Sequence, residues 1–267
     1  MTLPETTALD LERDGGWLTV WFNEPAIRNP LTAARAADLT RLCEALAGDR
    51  SVRGVTFRGR GGMFSAGGDL KAFKTVFQGG AKREDVLTLS RDGARVFDLV
   101  NALPRVTVMA VEGAAMAGGM GLACCGDVVI AERDAKFAFT QTMIGLSPAQ
   151  ISPFVLQRLG ARLGRRLMLT GASVAGEEAL SVGMADILTD GPGEMDAAIA
   201  KVRGAVRRCA PEAVAGTKAL ILAMPGLDRA AQIEAAAENF ADRMLSDEGR
   251  EGVASFVAKR KPEWAER

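Results

Sequence analysis

Residues 116–127 read MAGGMGLACCGD, a stretch in which four of the twelve residues are glycine. Its only ionisable side chains are two cysteine thiols and the closing Asp127, so its centre holds no acid, base or obvious nucleophile. It follows the apolar segment VTVMAV (106–111), which has the composition of a buried strand. Small residues after a strand let backbone N–H groups point at a ligand atom with no Cβ in the way. Any chemistry of this stretch is therefore expected in its backbone.

A second segment, VTFRGRGGMFSAGGDL (55–70), repeats this design, with a glycine-rich loop between a strand and a predicted helix. A helix N-terminus adds partial positive charge, and two amides that converge on one oxygen form an oxyanion hole. The alternative is that both segments are ordinary strand–helix turns, since a glycine cluster alone is weak evidence. Neither segment contains GxxxxGKS/T or GxGxxG, so the phosphate-binding loops of nucleotide and dinucleotide sites are not indicated.

The composition excludes several classes of function. The 267 residues include 33 Lys and Arg, 33 Asp and Glu, and neither histidine nor tyrosine. A His-based triad is therefore impossible, and the net charge of zero gives no overall case for nucleic-acid or membrane binding. The cysteines lack the spacing of a metal site, which predicts no metal and reduced, buried thiols in a cytoplasmic protein. They are Cys43, Cys124, Cys125 and Cys209.

Neither a signal peptide nor a transmembrane helix is expected. The N-terminal segment MTLPETTALDLERD lacks a basic region followed by an apolar run. The longest apolar stretch, 106–126, is interrupted by Glu112 and five glycines, which disfavours a membrane-spanning helix.

Hydrophobic periodicity predicts an α/β core of about 190 residues followed by an α-helical tail. We place the core at 1–192 and the helical region at 193–267. Thr32 is the predicted N-cap of the first helix, and residues from Pro148 onward are predicted to be mainly helical. The predicted strands are 16–22, 53–59, 106–111, 127–131 and 136–139, and the predicted early helices are 32–48 and 84–102.

Six segments together resemble the crotonase superfamily, the enoyl-CoA hydratase/isomerase family, over nearly the whole chain. They are NEPAIRNPLT (23–32), GGMFSAGGDL (61–70), AVEGAAMAGGMGLACCGDVVIA (110–131), AKFAFTQTMIGLSPAQ (135–150), LMLTGASVAGEEALSVGMADIL (167–188) and EGVASFVAKRKPEW (251–264). The resemblance implies an α/β spiral of repeated ββα units, with C-terminal helices that pack homotrimers, often paired as hexamers. It also implies an acyl-CoA thioester substrate. Coenzyme A would then enter as part of the substrate, with no cofactor bound permanently.

By position, the resemblance makes the N–H groups of Ala66 and Gly118 the two donors to the thioester oxygen. It also suggests contacts with coenzyme A. Arg28 matches a position that often meets the phosphates, and Phe240 and Lys259 match positions that reach the adenine and phosphate of a neighbouring subunit's coenzyme A. Phe240 is equally well explained as a core residue of its helix.

The match departs from the family at two glutamates, which in a typical enoyl-CoA hydratase activate the water and deliver the proton. Their positions fall on Gly121 and Gln141. Glutamine can hydrogen-bond a water, but its amide neither accepts nor donates a proton near neutral pH. The stretch SPAQISPF (147–154) resembles the branch that hydrates glutaconyl-CoA esters such as isohexenylglutaconyl-CoA.

No other side chain is a convincing replacement for these acids. Asp69 is counted among the ligand contacts, but it is expected to cap the next helix. Glu112 stands where the family usually has asparagine, and a structural or solvated carboxylate is expected there. Structural, core or solvated positions are also expected for Asp127, Lys71, Lys74, Cys124 and Cys125.

Three functions fit this sequence. The favoured one is an enoyl-CoA hydratase or isomerase in which Gln141 positions the water. The second is a decarboxylase or thioester-cleaving relative whose substrate supplies its own leaving group or acid. The third is a CoA-ester-binding protein that has lost turnover. Binding of RNA is not expected, because the first helix carries no lysine cluster.

Overall fold

The computed structural model of the protein describes residues 3–265, apart from the side chains at positions 76 and 77. Its strands are β1 (Leu9–Asp14), β2 (Trp17–Phe22), β3 (Pro30–Leu31), β4 (Gly54–Gly59), β5 (Gly67–Gly68), β6 (Val106–Val111), β7 (Ala114–Met116), β8 (Val128–Glu132), β9 (Lys136–Ala138), β10 (Ser173–Ala175) and β11 (Ile187–Thr189). Its α-helices are α1 (Ala33–Ala47), α2 (Leu70–Gln78), α3 (Arg83–Asn101), α4 (Gly118–Cys124), α5 (Ser152–Thr170), α6 (Gly176–Ser181), α7 (Pro192–Val206), α8 (Pro211–Ala223), α9 (Arg229–Leu245) and α10 (Asp247–Val257).

The strands form one large sheet and two small ones. The large sheet has the order β1-β2-β4-β6-β8-β11, in which β1 is antiparallel to β2 and the other pairs are parallel. A three-stranded sheet has the order β10-β9-β7, and β3 pairs with β5 alone. Successive turns of the chain therefore run through a strand of the large sheet, a short strand of a small sheet, and a helix. This is the spiral of ββα units that the sequence resemblance implies, so the predicted fold class is confirmed.

Two clusters of buried apolar side chains hold the spiral together. The larger fills its interior, between the large sheet and the helices α1, α3, α4 and α5. The smaller lies on the opposite face of the sheet, where α7 packs against β6, β8 and β11. Its buried members are Trp17, Val108, Ala110, Ile130, Met195 and Val206. Because β6 contributes Val108 and Ala110 to one cluster and Met109 and Val111 to the other, its uninterrupted apolar sequence is explained.

Local signals predicted most of these elements. Thr32 caps α1 by accepting a hydrogen bond from the Arg35 N–H, as expected. Gly160, where the predicted helical segments meet, has φ 70 and ψ 166 and divides α5. The first strand, β1, was not predicted, because only Leu9 among its residues is buried. It pairs with β2 at the edge of the sheet, where polar side chains face solvent.

The prediction of buried thiols is confirmed for three cysteines and wrong for the fourth. Cys43, Cys124 and Cys125 are buried, and burial raises the pKa of Cys43 and of Cys124 to about 12. Cys209 is exposed, just beyond the end of α7. Among the described residues, no group of His, Cys, Asp and Glu side chains has the arrangement needed to hold a metal ion. No helix in residues 3–265 has both the length and the apolar character needed to cross a membrane.

Arg105, which directly precedes β6, connects this strand to the end of α1 by hydrogen bonds. Its side chain is 2% exposed, and its guanidinium donates hydrogen bonds to the carbonyl oxygens of Asp49 (2.9 Å), Val52 (3.0 Å) and Leu46. Burial lowers the pKa of Arg105 to about 10, which leaves the group charged at neutral pH. One side chain therefore donates hydrogen bonds to the last turn of α1 and to two carbonyl groups of the loop between α1 and β4.

We expect Arg105→Met to lower the free energy of unfolding by about 2–5 kcal/mol, because buried carbonyl oxygens would lose their donor. The control is Arg91→Met, which changes an exposed arginine of α3 and should stay within about 0.5 kcal/mol of the wild type. Urea denaturation of both variants measures the difference. Equal midpoints would show that Arg105 does not hold this loop.

Candidate functional site

The two glycine-rich segments leave neighbouring strands of the large sheet. The first glycine loop (residues 60–68) follows β4, and the second glycine loop (residues 112–117) follows β6. Since β4 and β6 are adjacent and parallel, both loops begin at the same edge of the sheet. Ligands of parallel sheets bind at this carboxyl edge.

Backbone hydrogen bonds join the two loops along their length. The Phe64 N–H donates to the Glu112 carbonyl (2.9 Å), and the Ser65 N–H donates to the Ala114 carbonyl (3.0 Å). The Met116 N–H then donates to the Ser65 carbonyl (2.9 Å). Main-chain hydrogen bonds therefore hold the two loops together along their length.

Beyond these hydrogen bonds the loops touch, at Gly67 and Gly118. Gly67 has φ +97, and a Cβ there would lie 2.7 Å from the Met116 carbonyl oxygen and 2.8 Å from the Ala117 Cβ. A Cβ on Gly118 would lie 3.7 Å from the Gly68 nitrogen. Only glycine fits at Gly67, and its absence of a side chain brings the amides of Gly68 and Gly118 close together.

Neither of these amides has an acceptor among residues 3–265. Gly67 lies opposite Pro30 in the β3–β5 ladder, and a proline has no N–H, so Gly67 must direct its own N–H and C=O toward β3. Alternate residues of a strand point their backbone groups to opposite sides, so the Gly68 N–H points away from β3. Gly118 is the first residue of α4, and its N–H makes no hydrogen bond to the described residues.

The prediction of Ala66 as the second donor is wrong. Its N–H donates to the Arg28 carbonyl (2.9 Å), so it is already satisfied. Gly68 takes its place beside Gly118. The sequence did contain a signal for this choice, because Gly68 directly precedes Asp69, the N-cap of α2, just as Gly118 stands at the start of α4.

The space that a side chain at Gly121 would occupy is filled by Ile151. Gly121 lies in the buried part of α4, and a Cβ there would be 2.5 Å from the Ile151 Cβ and would overlap its Cγ2. Ile151 is itself buried, at the start of α5. The space of the missing first glutamate is thus occupied by a bulky apolar residue from the SPAQISPF segment. The sequence alone could not reveal this contact.

Gln141 has a buried acceptor with no partner. It begins the short 3-10 turn Gln141–Ile144, three residues after Ala138, whose carbonyl accepts the Ala117 N–H (2.8 Å). Its own carbonyl accepts the Leu146 N–H (2.9 Å), which fixes the turn. The Gln141 Oε1 makes no hydrogen bond within the described part of the chain. A buried amide oxygen without a donor is costly, so a water or ligand N–H or O–H fits this position.

The remaining acidic candidates are engaged in structural roles, as expected. Asp69 caps α2 by accepting hydrogen bonds from the N–H groups of Lys71 (3.0 Å) and Ala72 (3.1 Å). Asp127 accepts from the Lys218 ammonium (2.8 Å) and from the Thr107 backbone and hydroxyl.

Glu112 is held by Arg58 in a two-bond ion pair, with Nη2–Oε1 at 2.7 Å and Nε–Oε2 at 2.8 Å. Hydrogen bonding to Glu112 raises the pKa of Arg58 above its ordinary value. This carboxylate is structural.

The residues predicted to reach coenzyme A are on the surface. Arg28 is exposed and has the left-handed φ of 63. Phe240 is 67% exposed, so the interpretation of this residue as part of the core is wrong. Phe256 is 85% exposed, and its carbonyl accepts the Lys259 N–H (3.1 Å), which places the two residues side by side at the end of α10.

A cavity in the described part of the chain lies away from the two loops. It has a volume of about 510 Å³ and is lined by residues of α8, such as Val214 and Leu222, and by the amino ends of β6 and β8. The Asp127–Lys218 ion pair lies at its wall. Neither glycine loop contributes to it, so the chemistry is assigned to the loops and not to this cavity.

A parallel ββα spiral with two adjacent glycine loops is the architecture that the sequence resemblance implies for the crotonase class of proteins. Comparison with known proteins agrees with this class. The sequence profile of the family "Enoyl-CoA hydratase/isomerase" matches residues 12–267, and the chain belongs to that family.

Solved structures and a curated relative support the assignment over almost the full length. Pseudomonas aeruginosa AtuE is 40% identical, with a TM-score of 0.93, and the match covers 97% of this chain and 100% of that chain. An enoyl-CoA hydratase/isomerase from Marinobacter aquaeolei is 36% identical, with a TM-score of 0.92 and coverage of 97% and 99%. A Thermus thermophilus protein with the provisional name of enoyl-CoA hydratase is 34% identical over 245 residues, which is 91% of this chain and 95% of that protein.

We expect Gly121→Ala to lower the free energy of unfolding by about 1–3 kcal/mol, because the added methyl group overlaps Ile151 in a packed interior. Gly93→Ala is the matched control, since Gly93 lies inside α3 and a Cβ added there would have no atom within 4 Å. That change should raise the free energy by about 0.4–1 kcal/mol. Chemical denaturation gives both values, and a stable Gly121→Ala variant would mean that Ile151 moves freely.

Proposed function

We propose that the protein adds water to a 2-enoyl-CoA thioester whose carbonyl oxygen accepts hydrogen bonds from the Gly68 and Gly118 N–H groups. The observation that carries this proposal is the proximity of two backbone amides without protein acceptors, on adjacent loops. Attack of water at the β-carbon moves electrons onto the thioester oxygen. Two donors fixed before the reaction stabilise that charge, and loss of one such donor typically costs about 10²–10³ in rate.

Gln141 is proposed to hold the attacking water. Its buried Oε1 can accept one hydrogen of the water, which orients the oxygen toward the β-carbon. Hydration adds a hydroxyl group at the β-carbon and a proton at the α-carbon. Because the amide cannot take up a proton, we propose that the same water supplies both, with no net change in the protein.

We further propose that the acyl group is a branched glutaconyl ester of the isohexenylglutaconyl type. The support is the SPAQISPF segment (147–154), which leads from the turn of Gln141 into α5. Its Gln150 Nε2 donates to the Ser90 hydroxyl (2.9 Å), so the segment is attached to α3. Ile151 of the same segment makes the wall at Gly121 apolar.

A second candidate function is favoured by the absence of a free acid at Gly121 and Gln141. A decarboxylase or thioester-cleaving enzyme needs the oxyanion donors and can use a substrate that supplies its own acid or leaving group. A CoA-ester-binding protein needs only the binding groups. All three candidates share the acyl-CoA ligand, and they differ in what is released.

We propose that the protein assembles as a homotrimer or as a hexamer of two trimers. The helices α9 and α10 carry large apolar side chains in exposed positions, which is unusual for an isolated chain. They include Phe240, Leu245, Val253, Phe256 and Val257. Phe240 and Lys259 would then contact coenzyme A bound to a neighbouring subunit, with Arg28 at the phosphates.

The assembly is tested by sedimentation of the protein with a chain mass of 28.1 kDa. We expect a particle of about three or six chains, because the exposed apolar side chains on α9 and α10 need cover. A Phe256→Ser and Val257→Ser double variant should shift the distribution toward smaller species. A monomeric wild type would contradict the proposal.

The proposed reaction is tested with crotonyl-CoA and methylglutaconyl-CoA, by loss of the enoyl-thioester absorbance. We expect turnover by the wild type, at least a tenfold loss in Gln141→Ala, and at least a tenfold gain in Gln141→Glu. General acid–base catalysis is typically worth about 10²–10⁴ in rate, which is the reason for the expected gain. Gln150→Glu is the matched control, because it introduces the same charge on the neighbouring turn.

Other outcomes identify the alternatives. Release of CO₂ or of free coenzyme A without loss of conjugation would favour the second candidate. Tight binding of enoyl-CoA without turnover, together with a gain of activity in Gln141→Glu, would identify a binding protein that keeps the oxyanion donors.

A further inference from the structure

Arg58 and Glu112 form a buried ion pair at the base of both glycine loops. They are 8% and 7% exposed, and the two hydrogen bonds between them are 2.7 Å and 2.8 Å long. The remaining guanidinium nitrogen of Arg58 donates to Asp196 of α7 (2.6 Å), and the guanidinium carbon lies 4.9 Å from the centroid of the Trp21 ring. A fork of this kind fixes both side chains in one plane.

The ion pair stands where both glycine loops leave the sheet, so it can influence the position of both loops. Arg58 is the penultimate residue of β4, and Glu112 is the first residue after β6. Each partner therefore stands where a strand ends and a glycine loop begins. The strands are already paired at Arg58 and Ala110, so the ion pair extends the connection between them beyond the last ladder contact.

A continuous series of backbone contacts leads from the pair to the two free amides. Beside Glu112, a Cβ on Gly113 would overlap the Gly62 carbonyl oxygen, so the two loops touch there. The Glu112 carbonyl accepts the Phe64 N–H (2.9 Å). The next residues, Ser65 and Ala115, form a parallel bridge.

This series of backbone contacts ends at the Gly68 and Gly118 amides. Gly67 lies against Met116 and Ala117, and the Gly68 nitrogen lies beside Gly118. No side chain interrupts this sequence of main-chain contacts. A displacement of one loop at its base is therefore carried to the amides at its far end.

We propose that Arg58 and Glu112 are positioning residues, which set the distance and angle between the Gly68 and Gly118 amides. This inference rests on the proposed acyl-CoA function. Neither side chain touches substrate, because both lie on the face of the sheet that α7 covers. Their effect is carried by the loops, and it acts on the stabilisation of the oxyanion rather than on the binding of coenzyme A.

The expected signature is a lowered kcat with little change in KM. An interaction that is realised in the transition state lowers kcat when it is lost, whereas uniform binding energy affects KM. Misplacement of catalytic groups by about 1 Å can cost about 10²-fold in rate. We expect Glu112→Gln to lower kcat by about tenfold to a hundredfold and to change KM by less than about threefold.

A spectroscopic measurement reports the amides without turnover. The absorbance of an aromatic enoyl thioester, cinnamoyl-CoA, moves to longer wavelength when hydrogen bonds polarise its carbonyl. We expect this red shift with the wild type and a smaller red shift with Glu112→Gln, at a similar dissociation constant. Arg58→Lys keeps the charge but lacks the fork, and it should also reduce the shift.

Two comparison variants separate positioning from stability. Asp127→Asn breaks another ion pair of the same sheet, with Lys218, at the amino ends of the strands. It should lower the stability and leave the red shift and kcat unchanged. The double variant Arg58→Gln with Glu112→Gln removes both buried charges, so it should regain stability relative to Glu112→Gln while the red shift stays reduced.

The outcomes are distinguishable. If the wild type shows the red shift and Glu112→Gln shows it undiminished, the positioning role is overturned and the proposed function stands. If the red shift returns with stability in the double variant, the pair is only structural and the inference is likewise overturned. If the wild type neither binds cinnamoyl-CoA nor shifts its absorbance, the proposed function fails, and the inference that rests on it fails with it.

Discussion

The close approach of two stretches of backbone, at Gly67 and Gly118, is the constraint on which the candidate site depends. A Cβ at Gly67 would lie within 2.8 Å of atoms of the second loop, so any other residue there would separate the loops. Because β4 and β6 are adjacent and parallel, both loops begin at one edge of the sheet. Because the donors belong to the main chain, the side chains at positions 121 and 141 can differ from the family pattern without removing the donors. This explains how a family fold persists where the usual acids are absent.

The fold was largely predictable because its signals are local. Alternation, apolar runs and caps such as Thr32 act over a few residues, and the sequence contains them intact. The strand β1 was missed for a physical reason, since an edge strand with one buried residue lacks the apolar pattern. The proposed Gly68 donor has a local signal, its place just before the N-cap Asp69, but the free direction of its N–H depends on non-local contacts. The direction of the Gly68 N–H follows from its register against Pro30, and no sequence pattern encodes that register.

The wall beside Gly121 shows a second limit of sequence analysis. A glycine in place of an acid leaves open whether the space is empty, filled by water or filled by another side chain. Here it is filled by Ile151, which lies thirty residues later in the chain and reaches α4 through the packing of α5. Neighbouring surface residues are easier to identify from the sequence. Phe256 and Lys259 are three residues apart near the end of a helix, and residues at that spacing share a local arrangement.

The fit of Ile151 against Gly121 also bears on how this lineage can evolve. Two of the four glycine codons become glutamate codons by a single base change, so a glutamate at position 121 is at most two base changes away. Such a substitution would nevertheless destabilise the fold, since the isoleucine occupies the space that the new side chain needs. Shrinking the isoleucine beforehand leaves a void in a packed interior, which is itself unfavourable. A glutamate at position 121 is therefore accessible only together with a compensating change at Ile151, so packing makes the two positions evolve as a pair.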